Sequence, residues 1–349
     1  MLGCNDLDMP TYRLKNAYLM FKQRLTKEGI MLSMKDLNNV EWIEVKWPQI
    51  ESYILNLQRL IYKASKKNNK IAVTRYQGIL LTSEAARLKA VRRVTQDNQG
   101  KKTAGVDGVN SLTPKQRITL ASNLKLDGKS DFIRRVYIEK KGSPEGRPLG
   151  IPTVKDRAKQ ALALLALEPE WESKFEPNSY GFRPGRGCHD AIEAIYISIN
   201  RKPKYVLEAD IESCFDNIDH NSIINKLDTF PKLEIQVRAW LKAGIMEGKI
   251  VEPSDKGVPQ GGIISPLLMN VALHGLEIDT KKHMQDMDRR GTDGKALPGR
   301  TKTSALSLIR YADDFVVMHY DLEVILSCKG FIEEWMSHWP SIEGCQDQG

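Results

Sequence analysis

The stretch Ser307-Leu308-Ile309-Arg310-Tyr311-Ala312-Asp313-Asp314-Phe315-Val316-Val317-Met318 sets the reading of the whole chain. Two apolar runs, residues 306–309 and 315–318, flank a short acidic element. Each run has the length and the β-branched or aromatic content that strands favour. The expected unit is a β-hairpin with Asp313 and Asp314 at its tip. Adjacent carboxylates repel each other, and a turn between buried strands is a costly place for them unless a cation neutralises both. An ordinary Asp-Asp turn is the alternative on this dipeptide alone.

A second acidic strand end strengthens the cation reading. Lys204-Tyr205-Val206-Leu207-Glu208-Ala209-Asp210-Ile211-Glu212-Ser213-Cys214-Phe215-Asp216-Asn217-Ile218 runs from an apolar strand into a polar turn, with Asp210 at the strand's end. If both segments belong to one sheet, Asp210 and Asp313 meet at its edge. Carboxylates so placed can hold two divalent ions about 3.5–4 Å apart for in-line phosphoryl transfer. Oxygen-only ligands of this kind suit Mg²⁺.

Tyr311-Ala312-Asp313-Asp314, with Asp210 and Phe215 upstream, resembles the catalytic palm of a reverse transcriptase. Between them, Gly257-Val258-Pro259-Gln260-Gly261-Gly262-Ile263-Ile264-Ser265-Pro266-Leu267-Leu268-Met269-Asn270 resembles that family's nucleotide and template block. The blocks occur in the family's order, and the resemblance is closest to group II intron-encoded reverse transcriptases that also act as maturases. It implies an α/β (α+β) right-hand palm and fingers with a basic helical N-terminal extension. It also implies two Mg²⁺ ions held by Asp210, Asp313, Asp314 and the main-chain carbonyl of Ile211. The implied partners are group II intron RNA, an RNA template with a DNA primer, and dNTPs.

The chain's 349 residues are long enough for two domains or one large divided one, and 41% hydrophobic content is enough for a real core. A net charge of +8 points to a polyanionic partner. Cys4, Cys188, Cys214, Cys328 and Cys345 show neither paired nor metal-ligand spacing, which suits a reducing compartment. There is no secretory signal pattern and no apolar run of membrane-spanning length. The expected location is a bacterial cytoplasm, or an organellar matrix or stroma, without secretion.

Residues 1–41 form a leader without an assigned role. Residues 42–129 read as a basic helical extension: Ile50, Ile54, Leu57, Leu60 and Ile61 recur at helical spacing, as do Ile79, Leu80, Ala85, Leu88 and Val91. From Arg59 to Lys102 the cations, among them Arg92, Arg93, Lys101 and Lys102, face only two acids, Glu84 and Asp97. That imbalance suits an RNA backbone, with a merely solvated basic face as the alternative. Thr113 followed by Pro114 marks a helix start.

Residues 130–204 read as fingers. Residues 134–151 form a hairpin with cations on both arms, and Lys141 and Arg147 are its candidate triphosphate contacts, with Lys140 as an alternate. Tyr180, Phe182, Arg183 and Arg186 lie in a loop rich in Gly and Pro, combining stacking faces with cations. Arg183 and Arg186 are assigned to the template. Residues 205–337 read as palm. By the resemblance, Phe215 is the gate that disfavours a 2′-hydroxyl, Gln260 contacts nucleotide or template, and Gly261 lets the backbone approach bases. Asp219 or Asn221 should cap the helix that follows. The polar loop 285–304 is either an exposed insertion or a nucleic-acid contact.

Beyond Trp335 the resemblance stops, and residues 338–349 read as an aberrant or truncated tail. Thumb, maturase, DNA-binding and endonuclease regions are not seen. The expected function is therefore an RNA-directed DNA polymerase of a mobile group II intron, with intron RNA binding tied to splicing and retrohoming, in a copy of impaired activity. The alternatives are an inactive intron RNA-binding remnant and an RNA-dependent RNA polymerase.

Overall fold

The computed structural model describes residues 41–140, 143–211, 213–248, 250–287 and 298–337. Residues 1–40 of the leader, Lys141 of the fingers hairpin, residues 288–297 of the polar loop and the tail 338–349 lie outside these residues.

Among the described residues a short 3-10 turn, Trp42–Glu44, precedes three helices, α1 (Trp47–Lys66), α2 (Lys70–Thr82) and α3 (Glu84–Arg92). On α1 the buried residues Ile50, Tyr53, Ile54, Leu57, Ile61 and Ala64 repeat at the three- and four-residue spacing of one helical face. Asn69 and Ser83 start the next two helices by accepting hydrogen bonds from the main-chain N–H of Ala72 and Ala86. A π turn, Arg93–Asp97, follows α3. Thr113 then caps α4 (Pro114–Asn123) in a reciprocal box with Gln116, as its sequence predicts.

The fingers hairpin is β1 (Ile133–Lys140) against β2 (Ser143–Ile151), with Ile138 opposite Arg147. It leads into α5 (Val154–Glu172), buried almost all round and packed on the first three helices. α5 organises the molecule through polar groups that burial would otherwise penalise. Arg157 donates to the carbonyls of Gly100 and Thr103, at 2.9 and 2.6 Å. Lys159 reaches Asp127 at 2.8 Å and the carbonyl of Lys129 at 3.0 Å. Gln160 accepts from the N–H of Ile263 at 2.8 Å, tying the nucleotide block to the same helix.

Next come α6 (Cys188–Ile199), β3 (Tyr205–Asp210), the short α7 (Cys214–Asn217), α8 (His220–Leu227) and α9 (Pro231–Leu241). Asp219, rather than Asn221, caps α8 by accepting from Ser222 N at 2.7 Å. β4 (Ile245–Glu247) and β5 (Ile250–Glu252) complete a four-stranded sheet in the order β2-β1-β4-β5. After α10 (Ser265–Leu273), α11 (Leu276–Asp286) and α12 (Gly299–Ser304), the hairpin β6 (Ser307–Tyr311) and β7 (Asp314–His319) joins β3 in the order β3-β7-β6. α13 (Leu322–Ser337) packs behind it.

Two expectations need correction. Tyr311 pairs with Asp314, so the turn consists of Ala312 and Asp313, and Asp314 already belongs to β7. The boundary drawn at residue 204 also departs from the packing. Ala191 of α6 is buried with Ile309 and Met318, so this helix covers the palm sheet rather than the fingers.

Pro169 inside α5 has no N–H for the carbonyl of Leu165. Gln58 of α1 supplies the missing donor at 3.0 Å. Gln58→Leu is therefore expected to lower stability by about 1–3 kcal/mol by orphaning that carbonyl. The loss should largely vanish in a Pro169→Ala background, where the helix satisfies its own acceptor. Urea unfolding of the four proteins gives the coupling directly.

Candidate active site

The palm sheet brings distant carboxylates together by register. Asp210, the last residue of β3, lies directly opposite Asp314, the first of β7, and Asp313 occupies the adjoining turn. Burial and then the charge of Asp210 push the Asp313 carboxyl above its ordinary range, while Arg147 and Arg310 pull the other way. Asp314 is raised by burial and by Asp210, Asp313 and Glu208. Beside this edge opens a cleft of about 560 Å³, walled by Ala191 and Ile195 of α6 and by Glu208, Asp210, Tyr311 and Asp314.

The turn itself is held from below. Ala312 has φ +62°, a conformation uncommon for a residue with a Cβ. Gly181 packs against it so closely that any Cβ there would collide with the Ala312 backbone. Arg310, 1% exposed, donates to the Ala312 carbonyl and to Asn270 Oδ1, both at 2.9 Å, and to Ser179 Oγ at 2.8 Å. Burial pulls its guanidinium down to about 10. Arg310, Asn270, Ser179 and Gly181 had no role in the sequence reading. A cation inside an otherwise apolar strand, next to the acids, was the available signal.

Phe215 stands half-buried on α7, edge-on to Phe182 at 6.4 Å, and its carbonyl accepts from Val258 N at 2.5 Å. The 257–270 block therefore packs directly on Phe215. The Gln260 carbonyl accepts from Gly150 N at 2.6 Å, and a Cβ on Gly261, at φ +111°, would lie 2.6 Å from the Gly150 carbonyl. Gly261 is thus required for the join between the block and the fingers hairpin, beyond any approach to bases. Arg147 is exposed on β2, and its charge reaches Asp313. Lys141 lies outside the described residues, as does the side chain of Lys140.

The nucleic-acid assignments divide. Arg183 is 7% exposed, with its guanidinium in an ion pair to Glu172 at 2.8 Å. It also donates to the carbonyls of Glu176 and Ser179. That side chain holds its own loop, so its assignment to the template is corrected to a structural one. Arg186 stacks over Tyr180 at 5.3 Å and donates to the Pro177 carbonyl at 2.5 Å. Arg92 stacks on Trp47 and pairs with Asp97 at 3.3 Å and Glu51 at 3.8 Å. Glu51 lies N-terminal to the Arg59–Lys102 interval and also takes Lys89, so the basic face is less one-sided than its sequence implies. Arg93 lines a cleft of about 330 Å³ with Asn98, Gly261 and Gly262, so the extension and the nucleotide block do meet. Lys102 is exposed; the side chain of Lys101 lies outside the described residues.

Among the described residues no three His, Cys, Asp or Glu side chains converge closely enough to hold a metal ion as placed. The donor set at the edge nevertheless consists of carboxylate oxygens whose mutual repulsion a hard divalent cation would relieve. Also among the described residues, no helix is long and apolar enough to cross a membrane.

Carboxylates gathered from two strands of an antiparallel sheet, with a cation-bearing hairpin joined to the facing loop, are a donor set suited to phosphoryl transfer on divalent cations. The sequence matches the family described as reverse transcriptase (RNA-dependent DNA polymerase) over residues 138–341, and the N-terminal domain of reverse transcriptase over residues 42–124. The chain belongs to the reverse transcriptase family. It is 33% identical over 278 residues to protein YkfC of Escherichia coli (strain K12), covering 70% of this chain and 72% of that one. It is 38% identical over 187 residues to group II intron-encoded protein LtrA of Lactococcus lactis subsp. cremoris, covering 52% of this chain and 31% of that one. Maturase-like protein 1 of Euglena gracilis is 26% identical over 238 residues, covering 66% of this chain and 51% of that one. These relatives mark the chain as similar to intron-encoded reverse transcriptases and maturases, although it matches under a third of LtrA's length.

A carboxyl whose folded pKa is raised destabilises the fold above that pKa, and the cost fades as pH falls through it. Asp313→Asn should therefore raise Tm by a few degrees at pH 7 in EDTA, and the gain should shrink toward pH 4. Added MgCl₂ should stabilise the parent more than the variant. Thermal melts across pH, with and without Mg²⁺, check both.

Proposed function

We propose that this chain copies RNA into DNA at the Asp210–Asp313–Asp314 edge and binds group II intron RNA, linking it to splicing and retrohoming. The single observation that carries the first part is the pairing of Asp210 with Asp314, which puts acids about a hundred residues apart on one sheet edge. Bound Mg²⁺, held by these carboxylates and the Ile211 carbonyl, would lower the pKa of a primer 3′-hydroxyl and offset triphosphate charge. That hydroxyl attacks the α-phosphorus of the dNTP, and pyrophosphate leaves.

The chain's own residues do the positioning. Arg147, already within electrostatic reach of Asp313, and Lys141 would meet the triphosphate from the hairpin. Phe215 would lie beneath the sugar, its ring braced by Phe182. Gln260 and Gly261 would face the nascent pair, their backbone locked to Gly150. Arg186, Arg93, Lys101 and Lys102 remain the template and RNA contacts, with Arg92 contributing through the geometry of α1 and α3. Similarity to LtrA, a group II intron-encoded protein by name, supports intron RNA as the bound partner.

Primer extension with Mg²⁺ on an RNA template tests the reading. Asp210→Asn and Asp313→Asn should each reduce incorporation by at least about a hundredfold, since each removes a carboxylate charge that would hold the divalent cation at the reacting phosphate. A parent protein that adds no nucleotide while binding RNA tightly and with strong salt dependence would sink the polymerase reading. Phe215→Val should leave dNTP incorporation within about tenfold while raising use of rNTPs, because the change opens space under the 2′-position. Single-nucleotide addition assays with paired dNTP and rNTP substrates measure that ratio.

A further inference from the structure

Arg310 is a buried charge that the chemistry above leaves without a task. A charge taken out of water is costly, and an apolar side chain of similar volume would fill the same space. What it does here is join three segments. Its fork reaches Asn270 on α10, Ser179 in the loop before α6, and the carbonyl of Ala312 inside the acidic turn. Its main chain continues the join, with Arg310 N donating to Asn178 and the Arg310 carbonyl accepting from Tyr180 N, both at 2.9 Å. Asn270 closes the circuit by donating to the Gly181 carbonyl at 2.9 Å, beneath Ala312.

We propose that Arg310 is a positioning residue whose guanidinium fixes the Ala312–Asp313 turn and thereby aims the Asp313 carboxylate at the edge it shares with Asp210. A turn residue with a Cβ at φ +62° persists only where its surroundings over-determine it. The bond to Ala312 O supplies that constraint one residue from the acid. The planar fork is required because its acceptors come from three directions, and a lysine presents a single point charge. The same cation tempers the repulsion that Asp313 feels from Asp210.

The kinetic part of this inference rests on the polymerase reading; its metal and thiol parts do not. The test uses the full chain as Arg310→Met and Arg310→Lys. Mn²⁺ binding is followed by electron paramagnetic resonance, and thiol labelling by mass spectrometry at Cys214 and Cys328. Cys214 is buried below the edge and feels the charges of Asp313, Arg310 and Asp210, whereas Cys328 is buried on α13. Arg310→Met should weaken Mn²⁺ binding about tenfold and raise Cys214 labelling about tenfold relative to Cys328, the mark of local rather than global opening. It should cut kcat for dNTP addition about a hundredfold with KM little changed, as a small misplacement of a reacting group does. Lysine should fall between parent and methionine.

Unchanged Mn²⁺ affinity, or Cys214 and Cys328 labelling that accelerate together, overturns the proposal and leaves Arg310 a packing residue. A parent that incorporates no dNTP, with the metal and thiol shifts present, overturns the polymerase reading and supports the Arg310 assignment. If Arg310→Met does not fold, Ser179→Ala and Asn270→Ala each remove one acceptor from the fork. They should show the same two shifts at smaller size, and their absence overturns the proposal.

Discussion

Like charges set directly opposite each other across an antiparallel pair work against the sheet that holds them, and Asp210 with Asp314 is such a pair. Asp313 in the adjoining turn adds a third. The neighbouring positions supply the opposing free energy. Ala209 faces Phe315, both buried, and the fully buried Val317 sits between Leu207 and Leu308. Apolar burial at about 25 cal/mol per Å² makes these strands stable enough to hold the acids. The edge is thus electrostatically loaded and mechanically fixed, which favours any cation that binds the folded chain over the unfolded one.

The fixing extends well beyond the sheet. α5 is buried almost all round, yet it carries Asp156, Arg157, Lys159, Gln160 and Glu170 in its interior. Apolar replacements would pack as well, so the polar groups are explained by what they reach. Asp156 accepts from the N–H of Asp131, just ahead of the fingers hairpin, at 2.7 Å. Gln160 meets Ile263 in the nucleotide block, and Arg157 the turn of the extension. One rigid helix therefore sets the relative placement of the extension, the hairpin and the block that faces the acids. Precision at the site comes from this element more than from the loops it anchors.

How much of this was legible in the sequence varied by the physics involved. The helices were readable where burial follows a single face, as on α1, and where a cap is chemically unambiguous, as at Thr113-Pro114. The two acidic strand ends were readable because two largely apolar strands each running into Asp reinforce one another where either alone would have been ambiguous. The tip of the hairpin was placed one residue late, because turn register depends on Ala312 adopting positive φ, which nothing in its own chemistry favours. Arg183 was misread because composition cannot say whether a guanidinium faces solvent or its own backbone. Its partners Glu172, Glu176 and Ser179 are close in sequence, but only the fold of the loop turns them inward.

The cleft shared by Arg93, Asn98, Gly261 and Gly262 shows what sequence order concealed most completely. Arg93 belongs to the turn that ends the basic helices, and Gly261 to a block some 170 residues later. α5 brings them together, since Arg157 holds Gly100 and Thr103 while Gln160 holds Ile263, one helical turn apart on the same scaffold. The charge of Arg93 also offsets that of Glu168 farther along the helix. A strand of RNA following the extension would therefore meet the nucleotide block without crossing a flexible joint. The segments assigned to RNA binding and to copying thus share one rigid support.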